Sequence, residues 1–355
     1  MRYIIIGAGA VGGAIGGRLA QSGHQVVLVA RGAHAAAMRA DGLRLDTPEE
    51  SLRLRLPVAE GPEEVTLGPE DVLILAVKVQ DSVAALNAWA RRPVAGGGTA
   101  GERLPLLCAQ NGVAGERLAL RRFRHVHAVC LWLPAQYLTP GRVVAPCSPL
   151  TGVLHLGPYP EQAPHQPSQQ SPQQPSPQRE FADQTLRSIV ADLERSRFLA
   201  RLTPDVSRWK YAKLLGNLAN SLEAVCGPLS ADERLLDLYA LVRAEGEAVL
   251  AAADIPYVSE REERELRAGR MEMLPVPDTD FRAGSSWQSL RRGAGSIEAD
   301  YLNGEIALLG RLHGVATPWN ETLQRLANTF AAEGREPGSL PVDTLVKEAS
   351  AASAR

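Results

Sequence analysis

Three polar residues with helical spacing are the most chemically suggestive feature of the sequence. Lys213, Asn217 and Asn220 lie in the segment 209–221, whose leucines indicate a helix. At about 100° per residue, the three side chains fall within an arc of roughly 60° on one helix face. An ammonium group and two amides aligned in this way can bind a carboxylate or a carbonyl and supply a proton. A solvated face would normally include glutamate and arginine, and this face has neither, so the pattern favours a functional site.

Ser286 and Glu298 lie in a second polar cluster, in the segments 284–290 and 295–304. Glu298 falls in the first turn of a predicted helix, where the helix N-terminus stabilises a carboxylate. The same placement would also explain Glu298 as a purely structural residue that stabilises the start of the helix. From spacing alone, a structural and a functional role are equally compatible with Ser286 and Glu298.

A glycine-rich turn near the start of the chain predicts a binding site for a dinucleotide. An apolar, strand-like run ends at this turn and a segment with helical spacing follows it, and the turn itself reads Gly7-Ala8-Gly9-Ala10-Val11-Gly12. Gly7 permits a sharp exit from the strand, Gly9 lets the backbone approach a pyrophosphate, and Gly12 lets the helix pack closely on the sheet. The free N–H groups and the dipole of the helix start then face the phosphate charge.

The end of the second predicted strand bears on the choice of cofactor. This strand covers 24–31, and it ends in Arg31 with no acidic residue beside it. An Asp or Glu at this point holds the ribose 2′-hydroxyl of NAD, whereas an arginine suits the 2′-phosphate of NADP. NADP(H) is therefore favoured over NAD(H), and an ordinary surface arginine is the alternative.

Lys78 and Asn111 follow two further predicted strands, 72–77 and 104–110. The carboxyl ends of parallel strands form the edge at which open α/β sheets bind ligands. We therefore expect Lys78 to meet the cofactor or a substrate carboxylate, with a simple surface lysine as the alternative. Asn111 is expected at the same edge.

The order of the predicted elements indicates two domains. Strand-like segments continue through the first part of the chain, at 126–133, 141–146, 151–157 and 198–202. From residue 205 on, no further strand is expected, and amphipathic helices are predicted near 205–225, 230–253, 257–270, 296–313 and 318–333. We predict an α/β fold with a doubly wound Rossmann-type domain over residues 1–203, followed by an all-helical domain over residues 204–335.

Two segments are expected outside the packed cores. Residues 158–180 are rich in Pro, Gln and Ser, and such a stretch buries too little apolar surface to offset its ordering entropy. We interpret it as a mobile surface insertion, with a domain linker as the alternative. The tail, 336–355, is small and polar and is expected to be largely disordered.

Composition narrows the classes of partner. The chain has 355 residues and a net charge of -2 without a long basic run, so neither nucleic acid nor an anionic membrane is expected. No run of about 18 apolar residues and no signal peptide is evident, which predicts a cytoplasmic protein. The four cysteines lack C-x-x-C spacing and His125-x-His127 has no cysteine or carboxylate beside it, so no metal site is expected. A homodimer is compatible with the sequence.

Taken together, these motifs resemble the 2-dehydropantoate 2-reductase, or ketopantoate reductase, family. The resemblance extends from Met1 to about Thr329, interrupted by the Pro/Gln-rich insertion. The matching features occur in the family's order, namely the glycine turn, Arg31, Val77-Lys78, Asn111-Gly112-Val113, the segment 209–220, Ser285-Ser286 and the segment 298–304.

The resemblance implies a fold and a set of residue roles. An NADPH-binding domain and a helical domain, similar to the C-terminal domain of 6-phosphogluconate dehydrogenase, enclose a cleft for a 2-oxo acid. Lys213 resembles the general acid that protonates the ketone oxygen as hydride reaches the carbonyl carbon, and Glu298 resembles the carboxylate that anchors the substrate hydroxyl and the cofactor side. The groups similar to substrate-orienting residues are Asn111, Asn217, Asn220 and Ser286, and Arg31 and Lys78 resemble cofactor contacts.

One departure from the family pattern affects the substrate contacts. The family commonly spaces its second asparagine eight positions after the lysine, and Ser221 stands there in this chain, whereas Asn220 lies seven positions after Lys213. Either residue is a candidate contact.

The implied reaction is reduction of 2-dehydropantoate to (R)-pantoate, on the route to pantothenate and coenzyme A. A reductase of another 2-oxo acid and a non-catalytic NADP-binding regulator are the alternatives. A regulator would need neither Lys213 nor Glu298.

Overall fold

The computed structural model describes residues 1–161, 177–279 and 284–353. Most of the predicted insertion at 158–180 lies outside these ranges. On either side of it, a strand runs through Gly152–Tyr159 and a helix begins at Pro177.

Twelve strands belong to the first part of the chain. In chain order they are β1 (Arg2–Ile6), β2 (Gln25–Val29), β3 (Leu43–Asp46), β4 (Ser51–Leu54), β5 (Val58–Ala59), β6 (Asp71–Leu75), β7 (Pro105–Cys108), β8 (His125–Trp132), β9 (Arg142–Val144), β10 (Cys147–Pro149), β11 (Gly152–Tyr159) and β12 (Phe198–Leu202). The helices between them are α1 (Ala10–Gln21), α2 (Gly32–Asp41), α3 (Ser82–Ala90), α4 (Ala100–Arg103), α5 (Gly115–Leu120) and α6 (Pro177–Arg195). We call these elements together the sheet domain.

The main sheet has eight strands in the order β12-β11-β8-β7-β6-β1-β2-β5. The six neighbouring strands at one side of this sheet are parallel, namely β5, β2, β1, β6, β7 and β8. Strand β11 runs antiparallel to β8. The chain winds outward from β1 to β2 and β5, and then crosses over to β6 on the other side of β1. This is the doubly wound Rossmann arrangement, so the predicted fold class is confirmed. Its ligand crevice lies outside the carboxyl ends of β1 and β6.

Strand β1 shows why the first strands read as continuous apolar runs. Ile4 and Ile6 pack into the core on one face of the sheet, whereas Tyr3 and Ile5 pack into the core on the other face. Because helices cover both faces, neither set of alternating side chains meets solvent. Strand β1 therefore lies at the centre of the sheet domain, and Gly7, which follows it, lies at the crevice.

The second part of the chain is helical around its own core. Its helices are α7 (Val206–Asn217), α8 (Ala219–Cys226), α9 (Glu233–Ala252), α10 (Glu260–Arg267), α11 (Ser285–Arg291), α12 (Asn303–His313), α13 (Pro318–Glu333) and α14 (Val342–Ser353). We call these elements the helical domain. Two predicted helices are interrupted: 205–225 is divided between α7 and α8, and 296–313 begins as a 3₁₀ turn over Glu298–Tyr301.

The expectation of no strand after residue 205 is wrong. A short strand, β13 (Met271–Met273), pairs antiparallel with β10 of the sheet domain. Three residues cannot show a strand period in the sequence, and the pairing partner lies more than 100 positions away. The strand pair links the two domains through backbone hydrogen bonds.

The expectation that the tail 336–355 is largely disordered is also wrong. Helix α14 covers most of it, and Leu345 and Ala349 are fully buried. Val342, Leu345 and Phe330 belong to one apolar cluster. The spacing of Val342, Leu345 and Ala349 is helical, and a reading based on the small, polar composition of the tail overlooks it.

Two further features can be stated for the described part of the chain. No helix in it combines the length and apolar character needed to cross a membrane. The same ranges contain no group of three or more His, Cys, Asp or Glu side chains that could hold a metal ion.

Candidate active site

A cleft of about 650 Å³ lies where the carboxyl edge of the sheet faces the helical domain. The sheet domain contributes its glycine turn and the loops after β6, β7 and β8, and the helical domain contributes α7, α8, α10 and α11. Nine of the residues predicted to bind cofactor or substrate line this one cleft: Gly7, Gly9, Ala10, Val11, Lys78, Asn111, Asn217, Asn220 and Glu298. Lys213, the predicted general acid, lines it as well.

The glycine turn has the shape that a phosphate requires. Gly7 has a φ of +101°, and a Cβ there would lie 2.7 Å from the backbone nitrogen of Val77. A Cβ on Gly12 would lie 2.1 Å from the carbonyl oxygen of Gly7, so only glycine lets α1 start so close to β1. By contrast, a Cβ on Gly9 would meet nothing within 4 Å. The open space at Gly9 and the uncapped start of α1 fit a dinucleotide phosphate.

His34 supports this turn, although no motif in the sequence marks it. The amide N–H of Gly141 donates to His34 Nδ1 over 2.8 Å, so this nitrogen is an acceptor. The neutral ring then carries its proton on Nε2, which donates to the carbonyl oxygen of Ala8 over 2.8 Å. Burial lowers the pKa of His34, which favours this neutral form. Ala8 itself is buried, with its N–H donating to Val29, so its contribution to the site is structural.

Lys213 projects into the cleft from α7. Its Nζ lies 5.7 Å from the centre of the Trp132 ring, within reach of a cation–π interaction. Burial lowers the pKa of Lys213, opposed by the nearby Cys130 and Glu263. A lysine with a lowered pKa gives up its proton more readily than a solvated one.

Asn217 connects the helix of Lys213 to the sheet domain. Its Nδ2 donates to Asn111 Oδ1 across the cleft over 3.3 Å. Two amides predicted from separate motifs, more than 100 positions apart, are therefore in direct contact.

A helix break lies between Asn217 and Asn220. Helix α7 ends at Asn217, and Asn303 Nδ2 donates to the carbonyl oxygen of Leu218, between α7 and α8, over 3.3 Å. Asn220 lines the cleft, whereas Ser221 is fully buried and its Oγ has no hydrogen-bond partner among the described residues. Of the two alternatives for the second polar contact, Asn220 is the one that faces the cleft.

Ser286 and Arg31 do not line the cleft. Ser286 is 1% exposed, and the neighbouring Ser285 forms the cleft wall instead. Arg31 is exposed at the start of α2. Helix α11 turns Ser286 inward, and its orientation could not be derived from the Ser-Ser pair.

Glu298 and Lys78 form an ion pair across the cleft. Lys78 Nζ lies 2.5 Å from Glu298 Oε2, and the N–H of Val79 donates to Glu298 Oε1 over 3.2 Å. Only 3% of the Glu298 side chain is exposed. Burial raises the pKa of the nearby Asp81, and the charge of Glu298 raises it further. The ion pair joins Lys78, the predicted cofactor contact, to Glu298, the carboxylate predicted to anchor the substrate hydroxyl.

Several cleft residues were missed because they carry no motif. Trp132, Tyr137, Arg267 and Arg292 line the cleft, and the last two are cations from the helical domain. A solitary arginine in a polar stretch resembles any surface arginine, so its approach to the cleft appears only in the fold.

Two family models match this chain. The model described as ketopantoate reductase PanE/ApbA matches residues 3–160, and the model of the C-terminal part of ketopantoate reductase PanE/ApbA matches residues 205–331. Among curated proteins, the chain is 28% identical over 351 residues to the 2-dehydropantoate 2-reductase of Mesorhizobium japonicum. That alignment covers 94% of this chain and 98% of the relative.

Solved structures give a similar result. A PanE/ApbA family ketopantoate reductase from Ralstonia eutropha superposes with a TM-score of 0.72 at 25% identity, covering 94% of this chain and 100% of that one. D-mandelate dehydrogenase, in a ternary structure with NADH and anilino(oxo)acetate, superposes with a TM-score of 0.72 at 21% identity, covering 94% and 99%. The second likeness concerns the fold alone.

Proposed function

Because the chain belongs to the ketopantoate reductase PanE/ApbA family, we propose that it is an oxidoreductase that reduces 2-dehydropantoate to (R)-pantoate with NADPH. The observation that carries the proposal is the meeting of two independent motifs in one cleft. A glycine turn shaped for a dinucleotide lies across the cleft from Lys213 and Asn217, and Asn217 contacts Asn111 of the sheet edge. Relatives named 2-dehydropantoate 2-reductase support the same reaction.

The residues of the turn and its surroundings would hold the cofactor. The open start of α1, over Gly9, Ala10 and Val11, would face its phosphates, with Lys78 and Asn111 at the same sheet edge. Arg31, exposed beyond β2, supports a 2′-phosphate and hence NADPH. When bound, the nicotinamide supplies the hydride.

Lys213 would act as the general acid. Its ammonium group would donate a proton to the ketone oxygen of the substrate and stabilise the charge that develops there. Asn111 and Asn217, already in contact, would orient the substrate together with Asn220, which lines the same cleft. Glu298, held by Lys78 and Val79, would accept a hydrogen bond from the substrate hydroxyl.

The charge of the cleft supports an anionic substrate. Its lining residues include four cations and two carboxylates, respectively Lys78, Lys213, Arg267 and Arg292, and Asp81 and Glu298. Such an excess attracts a 2-oxo acid and a phosphate-bearing cofactor.

A second candidate function is the reduction of a different 2-oxo acid. Apolar side chains form part of the cleft wall, among them Trp132, Met271 and Met273. These side chains would accept a larger apolar group than that of 2-dehydropantoate. The shared fold with D-mandelate dehydrogenase is consistent with this alternative.

The test is NADPH oxidation by the purified protein, followed by absorbance, with 2-dehydropantoate and several other 2-oxo acids in parallel. A catalytic efficiency at least about tenfold higher for 2-dehydropantoate would support the proposed reaction. A preference for an aromatic or long-chain 2-oxo acid would favour the second candidate. Binding of NADPH without oxidation in any well would point to a regulator and would count against both.

A further inference from the structure

Arg292 is a half-buried cation without a carboxylate partner in the described part of the chain. It follows α11 and lines the cleft. Its Nη1 donates to the carbonyl oxygen of Tyr137 over 2.7 Å, and its guanidinium carbon lies 5.1 Å from the centre of the Tyr137 ring. Its other side-chain contact is a long hydrogen bond to Ser289 Oγ, 3.4 Å. A guanidinium has five N–H donors and stays charged, so most of its hydrogen-bonding capacity remains available here.

The preceding residue, Arg291, shows the arrangement that is usual for a surface arginine. Arg291 is exposed on the side of the helical domain, and its Nη1 lies 2.8 Å from Glu336 Oε1. Arg291 is therefore a paired surface cation, whereas its neighbour keeps an unpaired charge against the cleft. Burying a charge without an opposite charge is costly, and a bound anion would offset that cost.

A chain of contacts through two aromatic rings joins Arg292 to the glycine turn. The Tyr137 ring on which it stacks has its centre 4.2 Å from the centre of the His34 ring. His34 in turn donates to the carbonyl oxygen of Ala8 within the turn. One stack of two aromatic rings therefore separates a cation of the helical domain from the phosphate-binding backbone of the sheet domain.

We propose that Arg292 binds an oxyanion in the cleft, and that this anion is a phosphate of the dinucleotide cofactor. Arg292 and the glycine turn would then hold phosphates of one cofactor molecule from the two domains. The carboxylate of the 2-oxo acid offers the same chemistry as a second source. The inference rests on the proposed function, because it takes the ligands from that function.

The experiment compares Arg292→Met, Arg292→Lys and the matched control Arg291→Met. The dissociation constant of NADPH is measured by its fluorescence without any oxo acid, and the KM of the oxo acid is measured at saturating NADPH. Loss of a charged hydrogen-bond partner predicts an NADPH affinity about tenfold to a hundredfold weaker in Arg292→Met. The lysine variant should retain part of the affinity, and the Arg291 variant should bind as the wild type does.

Each outcome decides a part of the inference. An unchanged NADPH affinity with a raised oxo-acid KM would assign the anion to the substrate carboxylate. If neither value changes in Arg292→Met, the inference is wrong, while the proposed function stands. If Arg292→Met does not fold, as judged by its thermal melt, the lysine variant carries the comparison.

If the wild type neither binds NADPH nor reduces an oxo acid, the proposed function fails. The anion site is then tested by itself, through the rise in melting temperature that inorganic pyrophosphate or oxamate causes. A smaller rise for either anion in Arg292→Met than in the wild type supports the site. Equal rises for both anions refute it.

Discussion

Lys210 and Glu116 form a buried ion pair between the helix of Lys213 and the sheet domain. Their side chains are 5% and 2% exposed. Lys210 Nζ also lies 3.4 Å from the carbonyl oxygen of Gln110, the residue before Asn111. Burial raises the pKa of Glu116, and the Lys210 charge opposes this shift. The pair thus fixes α7 against the loop that carries Asn111, one helical turn from Lys213.

Removing one partner of this pair should destabilise the protein strongly. Lys210→Met leaves Glu116 buried without its counter-charge, which costs about 3–5 kcal/mol in comparable cases. Denaturant unfolding measures the loss. The double variant Lys210→Met with Glu116→Leu should recover much of the stability, and Lys347→Met, on an exposed lysine of α14, is the control. Equal stability of the single variant and the wild type would show that the pair contributes little.

Lys213→Ala should lower kcat by about two orders of magnitude or more, the range expected for loss of a general acid. NADPH affinity should stay nearly unchanged. Lys347→Ala is again the control, with activity equal to the wild type. A full rate in Lys213→Ala would remove this lysine from the mechanism.

The pH profile of the wild type gives an independent check on Lys213. A general acid works in its protonated form, so the rate should fall as pH rises through the Lys213 pKa. Burial puts that pKa below its ordinary value of 10.5, and the fall should therefore begin at a lower pH than for a solvated lysine. Steady-state rates across the alkaline range test this, and a flat profile would contradict it.

Arg31→Asp should shift the cofactor preference from NADPH toward NADH, because a carboxylate repels the 2′-phosphate and accepts a hydrogen bond from a 2′-hydroxyl. The ratio of the two kcat/KM values is the measurement. Arg91→Asp, on another exposed arginine, should leave the ratio unchanged. An unchanged ratio in Arg31→Asp would show that Arg31 does not select the cofactor.

Two glycines of the turn should respond differently to alanine. Gly12→Ala puts a methyl group 2.1 Å from a backbone oxygen and should destabilise the fold by about 1–3 kcal/mol. Gly9→Ala meets no protein atom within 4 Å, so the fold should remain while the methyl group blocks the phosphate. Thermal melts and NADPH binding separate the two effects. Normal cofactor affinity in Gly9→Ala would argue against phosphate binding at this turn.

Stability should fall as the pH decreases from about 6.5 to about 4. Burial lowers the pKa of His155, whose ring stacks on Trp209, from 6.5 to about 4. Within this window the unfolded chain binds a proton that the folded protein does not, so acidification favours unfolding by on the order of 2 kcal/mol. His155→Phe should show a smaller decrease in unfolding free energy, measured at several pH values. An identical pH dependence in variant and wild type would refute the contribution of His155.

Local patterns predicted the fold class well, because the apolar strands, the glycine turn and the helical periods are all features of neighbouring residues. The family resemblance is likewise confirmed by the models that match both parts of the chain. The stripe of Lys213, Asn217 and Asn220 does face the cleft, although the roles of its members remain predictions. The features that the sequence could not predict are tertiary contacts. The Lys210–Glu116 pair, the break at Leu218 and the approach of Arg292 each depend on contacts between distant segments.

The pairing of β13 with β10 has a consequence for any attempt to divide the protein. The pairing is extended by the N–H of Leu274, which donates to the carbonyl oxygen of Pro146 over 2.9 Å. A fragment ending near residue 203 would lose this partner and leave the backbone of β10 as an open edge, available to another copy. The sheet half expressed alone should therefore tend to self-associate, and its cofactor affinity would be a poor guide to that of the whole chain.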